Sequence, residues 1–260
     1  MSTATSATEM RSNDTSDDES QIHQSQLPVA CCSDSPDDGS SLTKNRPHAD
    51  VHAGAPVRPD EEWANAATHS IACAGTVLLG ATLLSAASAE GLGLTIACGL
   101  YLVSVFGTFA FSTLSHSILR QPMLNTLRAW DQAMIYAMIS GTYTPIIYRF
   151  APDAVRMPLL IAIWVAALTG IAGKLLMRHR VNNITTVGYL LLGWLPAIPM
   201  YGHVPSAIAW GTLLGGVLYS LGVLVLMNDG KAKYLHALWH LMVMSAALCH
   251  FLVIRWYVVG

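Results

Sequence analysis

From residue 66 to residue 258 the chain repeats one pattern: a long apolar stretch, a few polar residues, then another apolar stretch. A segment that enters the hydrocarbon core of a bilayer must satisfy every backbone N–H and C=O internally, and an α-helix does this within one segment. About 20 mostly apolar residues suffice for a crossing. Seven stretches qualify as candidates, at 66–87, 92–117, 127–148, 157–176, 187–200, 207–227 and 235–258. The fifth is short, and Pro196 and Pro199 interrupt its end. The expected fold is therefore all-α, an integral membrane seven-transmembrane helical bundle over residues 61–260.

Composition agrees with this reading. Hydrophobic residues make up 53% of the chain and charged residues 12%, with a mean hydropathy of +0.44. A soluble domain carries about twice that charge. Of 16 acidic residues, only Glu90, Asp131, Asp153 and Asp229 come after Glu62. The net charge of −2 thus averages two unlike regions and gives no ground for a nucleic-acid partner. Residues 1–60 are rich in Ser, Thr, Asp, Pro and Gly, a composition that buries too little apolar surface to offset its ordering entropy. They are expected to form a disordered cytoplasmic tail, and they lack the basic start and apolar core of a secretory signal. Cys73, Cys98 and Cys249 fall in apolar stretches as small hydrophobes, and Cys31 and Cys32 lie in the tail as free thiols.

Lys and Arg in the short loops set the orientation. With seven crossings, one face carries Lys44, Arg46, Arg58, Arg120, Arg128, Lys174, Arg178, Arg180, Lys231 and Lys233. The other carries Arg149, Arg156 and Arg255. The expected topology has the N-terminus in the cytoplasm and the C-terminus outside, in a membrane of the bacterial inner type. Six crossings would carry Lys231 and Lys233 to the outer face.

Ionisable side chains inside apolar stretches are costly and point to function. Here they are His69, His116, Asp131, His236, His240 and His250. In the seven-crossing topology, His116 ends the second helix, Asp131 starts the third, and His236 and His240 start the seventh, all in one leaflet. His236 and His240 are spaced i, i+4, so they share a helix face and can grip one ion. Ser112 and His116 repeat that spacing. Three histidines plus a solvent molecule form the ligand set of a catalytic zinc site, which lowers the pKa of bound water toward ~7. Asp131 would take the proton of that water and return it to a leaving group. Ser112 would bond the water or orient His116.

Each residue also has a plainer reading. The histidines would be helix-capping or interfacial, Asp131 a charge stabilised by a helix dipole, and Ser112 a hydroxyl bonded back to its own helix. Their shared depth favours the joint reading. His69 reads as structural, bonded near Asn65 or Glu62. His250 lies ~15 Å deeper than His240 along a helix and reads as a packing or interhelical hydrogen-bond residue. The run from Ser140 to Pro145 reads as a kink whose hydroxyls satisfy freed backbone groups, and Gly211 with Gly215 as a close helix contact.

The segment Glu62-Trp-Ala-Asn65-Ala-Ala-Thr68-His69 resembles the opening of the hemolysin III family, which belongs with the progestin and adipoQ receptors. Ser112-Thr-Leu-Ser-His116, Asp131 with Ile135 to Pro145, Gly193-Trp194, Gly215-Gly216-x-x-Tyr219-x-x-Gly222, and His236-Ala-Leu-Trp239-His240 with His250-Phe251 resemble its later motifs, in order. The resemblance implies a seven-helix bundle with zinc held near the cytoplasmic face by His116, His236 and His240, and Asp131 at the metal-bound water. It also implies ceramidase-type amide hydrolysis from the receptor branch, or a haemolytic, pore-like activity from the bacterial branch. Gln132 departs from the pattern, because the family usually has His directly after the third-helix Asp.

The leading expectation is a zinc-dependent hydrolase of a lipid amide or ester, with membrane lipids as its surroundings and an acyl chain in the bundle interior. The alternatives are a hemolysin-like pore, a receptor-like signalling protein with structural zinc and, more remotely, a haem protein.

Overall fold

The computed structural model describes residues 58–176 and 183–260. The expected tail, with Cys31 and Cys32, lies outside the described residues apart from its last positions, as do Arg178 and Arg180. The described residues are helical, without strands: α1 (Pro59–Glu90), α2 (Leu92–Ser117), α3 (Met123–Phe150), α4 (Asp153–Leu176), α5 (Asn183–Trp194), α6 (Ala197–Met200), α7 (Ser206–Leu226) and α8 (Leu235–Val253). The last passes directly into a π-helical turn at Ile254–Val258. The chain is thus an all-α, multi-pass membrane protein. By length and composition, α1, α2, α4, α7 and the continuous segment Leu235–Val258 are each able to cross a bilayer.

The two remaining expected crossings differ from that pattern for physical reasons. Helix α3 is 28 residues long but carries Arg128, Asp131, Gln132 and a run of hydroxyls. It packs against α2, α4 and α5, and residues from Ser140 to Ile147 are all buried. A helix shielded by its neighbours need not be apolar throughout. The fifth expected stretch, 187–200, is two helices, α5 and α6, parted at Leu195 and Pro196. Proline removes a helical donor and crowds the preceding turn, so the break falls where Pro196 stands.

Helix α1 starts at Pro59, seven residues before the expected crossing. Proline suits the first helical turn, and Asp60, Glu61 and Glu62 complement the positive end of the helix dipole there. The ends of the bundle follow from contacts. Glu62 of α1, His116 of α2, Arg128 of α3 and His240 of α8 meet at one end. Glu90 and Arg149 pair at the other, 3.1 Å apart.

Of the two local expectations, the close glycine contact is met, whereas the hydroxyls near Pro145 bond carbonyls other than that of Gly141, which the proline frees. Helix α3 continues through Pro145, and the hydroxyls before it bond within α3 or to α4: Thr144 donates to the Ser140 carbonyl at 2.7 Å, and Ser140 to the Ile163 carbonyl at 2.9 Å. A Cβ added at Gly211 or Gly215 would overlap Val253 or His250, so both glycines let α7 close on α8. His250 itself donates from Nε2 to the Thr212 carbonyl of α7 at 3.2 Å.

Candidate metal centre

Two helices, α2 and α8, bring His116, His236 and His240 together, with one potential ligand atom from each lying within 4.8 Å of the others. The ring centroids of His236 and His240 are 4.8 Å apart, and His116 lies 5.0 and 5.1 Å from them. His116 and His240 are buried, whereas His236 is partly exposed.

The second nitrogen of each ring decides what the cluster can do. Nδ1 of His116 faces the Glu62 carboxylate. Nδ1 of His236 faces Asp229 Oδ2 at 3.0 Å. Nδ1 of His240 faces the Asn65 carbonyl at 3.1 Å, with Thr68 Oγ1 at the same distance. An ionised carboxylate and a backbone carbonyl only accept, so each Nδ1 carries the proton and donates it. Each Nε2 then holds a lone pair. That of His116 is buried without a hydrogen-bond partner among the described residues. Metal-bound imidazoles use this arrangement, in which an outer acceptor fixes the tautomer and the ring orientation.

The donor set fits a divalent ion. Tetrahedral bonds of ~2.0–2.1 Å set nitrogens about 3.3 Å apart, so the rings need to draw in by roughly 1.5 Å at most. The surrounding charge fits as well, since Glu62, Asp229 and Asp131 are all acidic. The guanidinium of Arg128 lies 3.6 Å from Glu62 and offsets part of that charge. The Asp229 carboxyl is held below its usual range, first by its hydrogen bond to His236, and so stays ionised at neutral pH.

Asp131 projects from α3 within electrostatic reach of His116 and His236. Its Oδ2 accepts from Ser115 Oγ at 3.0 Å, and buried Ser112 lies beside the same carboxyl. His116 is oriented by Glu62, and Ser112 stands with the carboxylate. Gln132 accepts from the buried Lys174 ammonium at 2.9 Å, and its backbone carbonyl accepts from Tyr189 Oη at 2.9 Å. The side chain standing where the family pattern has His is thus engaged with α4. His69 stacks on His240 at 3.7 Å between centroids. His250 stands apart from the cluster.

An apolar cavity of about 720 Å³ runs between α3, α5, α6, α7 and α8. Ile135, Tyr189 and Trp239 line one end of it and Met200, Ser206 and Ile208 the other. Ile135 is one helical turn from Asp131, and Trp239 precedes His240 in the chain.

Sequence reasoning missed Glu62, Asp229 and Ser115 as parts of this site. Glu62 and Asp229 sit at helix ends, where acids are ordinarily solvated, and no spacing ties residue 62 to residue 116. One signal was present: Glu62, Asn65 and His69 follow a 3–4 spacing that lays them along one face of α1.

Comparison with known proteins bears on the whole membrane region. Residues 57–251 match the family model described as Haemolysin-III related. The chain is 33% identical over 202 residues to "Hemolysin-3" of Bacillus cereus, covering 76% of this chain and 92% of that protein. It is 32% identical over 203 residues to "Hemolysin-3 homolog" of Bacillus subtilis (strain 168), covering 76% and 95%. It is 29% identical over 163 residues to "Monocyte to macrophage differentiation factor" of Homo sapiens, covering 62% and 65%. An all-α membrane bundle with histidines gathered from α2 and α8, matched by this model over three quarters of its length, belongs to the haemolysin-III related family.

Proposed function

We propose that the chain is a zinc-dependent hydrolase that cleaves an amide or ester bond of a membrane lipid, with the histidine end of the bundle facing the cytoplasm. The observation that carries this reading is the set of acceptors that face Nδ1 of the three histidines. Three imidazoles donate outward from Nδ1, and one ring nitrogen of each lies within 4.8 Å of the others, beside a carboxylate and near the end of an apolar cavity.

A zinc ion bound by three neutral imidazoles supplies a Lewis acid for a carbonyl and makes water a nucleophile near neutral pH. The chain's own groups do the rest. Asp131 takes the proton of the attacking water and returns it to the leaving amine or alcohol. Ser115, with Ser112 beside it, fixes that carboxyl in place. Glu62, Asp229 and the Asn65 carbonyl keep the rings turned inward. The cavity holds an acyl chain out of water, with its reacting end at Tyr189 and Trp239. Three histidines would hold the ion, and a three-ligand protein set is that of a catalytic rather than a closed structural site.

The orientation rests on charge. Arg58, Arg120, Arg128, Lys174, Lys231 and Lys233 lie at the histidine end, against Arg149, Arg156 and Arg255 at the other. By the positive-inside rule the histidine end is cytoplasmic, with seven crossings placing the C-terminus outside.

The name of the Bacillus cereus relative favours a second reading, lysis of membranes through a pore. An aqueous pore needs polar groups along its length, and the cavity is walled mainly by Ile, Leu, Met, Val and aromatic side chains.

Purified protein separates the two. Replacing His236 and His240 by Ala is expected to abolish zinc binding and hydrolysis of a long-chain lipid amide together. Asp131→Asn should keep zinc and lose about 10²–10⁴-fold in turnover. Zinc held at wild-type stoichiometry in the double variant sinks the metal reading. Leakage of dye from liposomes that persists in that variant establishes the pore.

A further inference from the structure

Water reaches the three imidazoles unequally. His116 and His240 are buried, while the His236 side chain is 27% exposed and that of its partner Asp229 30%. The aqueous corner of the cluster is therefore the segment joining α7 to α8, residues 229–234.

That segment is gripped by the first turn of α1. Arg58 donates from Nη1 to the Asp229 and Ala232 carbonyls at 3.3 and 3.4 Å, and from Nη2 to the Gly230 carbonyl at 3.0 Å. Glu61 Oε1 accepts from Arg58 at 3.4 Å, and its Oε2 accepts the Tyr234 backbone N–H at 2.7 Å. Tyr234 has a left-handed backbone with φ 61°, a conformation that a side chain disfavours, and it directly precedes α8. The buried Glu61 carboxylate therefore pins the strained residue two positions before His236. An exposed pair, Lys233 with Asp60 at 2.7 Å, closes the rim and contributes little.

We propose that the first turn of α1 is a latch on the metal centre. Arg58 and Glu61 hold segment 229–234 so that Asp229 and His236 stay in register, and a divalent cation enters and leaves the site past this segment. Neither residue is a ligand; both act through the segment as positioning residues. The proposal rests on the metal-site reading above.

The test uses the full chain in detergent, loaded with zinc, and follows release into excess chromophoric chelator. Arg58→Ala and Glu61→Ala should each release zinc about tenfold or more faster than wild type, the lower end of what outer-shell changes do to metal sites. Lys233→Ala should match wild type. Arg58→Lys keeps the charge but cannot fork onto three carbonyls, so it should fall between, and it serves should the alanine variants fail to fold. Amide exchange of residues 229–236, measured without zinc, should quicken in the same variants and not in Lys233→Ala. A wild type that binds zinc, with Arg58 and Glu61 variants releasing it at the wild-type rate, overturns the latch alone. A wild type that takes up no zinc overturns the metal reading, and the latch with it.

Discussion

Glu62 is the sharpest place to test the tautomer argument. It is buried, it accepts the Nδ1 proton of His116, and it lies 3.6 Å from Arg128. Glu62→Ala leaves that proton without this acceptor in a site that water does not easily enter. An unmet buried donor costs about 1–3 kcal/mol. Without metal, the ring can turn or take the other tautomer, so binding must restore the orientation against that cost. At ~1.4 kcal/mol per decade the loss is roughly 5- to 150-fold in zinc affinity. Arg128 loses this carboxylate as well, and its charge then opposes a cation more strongly, pushing the same way. Glu62→Gln keeps an acceptor but turns a charge-assisted bond into a neutral one of about half the strength. A loss of roughly 1 kcal/mol follows, about fivefold in affinity. Competition against a chelator of known affinity measures both, with helical content and melting followed in parallel. Equal zinc affinity in wild type and Glu62→Ala, with unchanged melting, would refute the assignment of His116 Nε2 as the inward lone pair.

Two further perturbations probe packing and the cavity. Gly215→Ala forces a Cβ into the His250 ring and should destabilise the α7–α8 contact by about 1–3 kcal/mol. Gly75→Ala meets nothing within 4 Å in α1 and should gain up to ~1 kcal/mol from helix propensity; thermal unfolding that moves both variants in one direction would contradict this. Gly193 lines the cavity, and a Cβ there also meets nothing within 4 Å. Gly193→Leu should therefore leave zinc bound and raise KM for a long-chain amide by about tenfold while sparing a short-chain one. An equal effect on both chain lengths would show that the cavity does not hold the acyl group.

Much of the architecture is legible in the amino-acid sequence. Long apolar runs specify helices in a membrane because no other local structure satisfies the backbone there. Pro196 marked where the fifth stretch parts, since proline lacks the donor that would carry the helix on and crowds the turn before it. The i, i+4 spacing of His236 and His240 placed them on one face of α8. Position along antiparallel helices brought His116 to the same end. These inferences rest on periodicity and chain direction, which a sequence carries explicitly.

What the sequence left open was decided by contacts between residues far apart in the chain. Nothing in the order of residues joins Glu62 to His116, Asp229 to its role beside a buried histidine, or Arg58 to the carbonyls of 229–232. Apolar periodicity even placed Glu62 outside the first crossing, because an acid is costly in lipid. The folded bundle removes that cost by giving the carboxylate a histidine and an arginine. Gln132 shows the same division: its identity could be read from the chain, but that its side chain takes Lys174 of α4 depended on how α3 and α4 pack. The long apolar helices and the histidine-bearing end were thus determined by the sequence alone. Which nitrogen of each histidine points inward was decided only by the tertiary structure, because that depends on an acceptor supplied by another helix or loop.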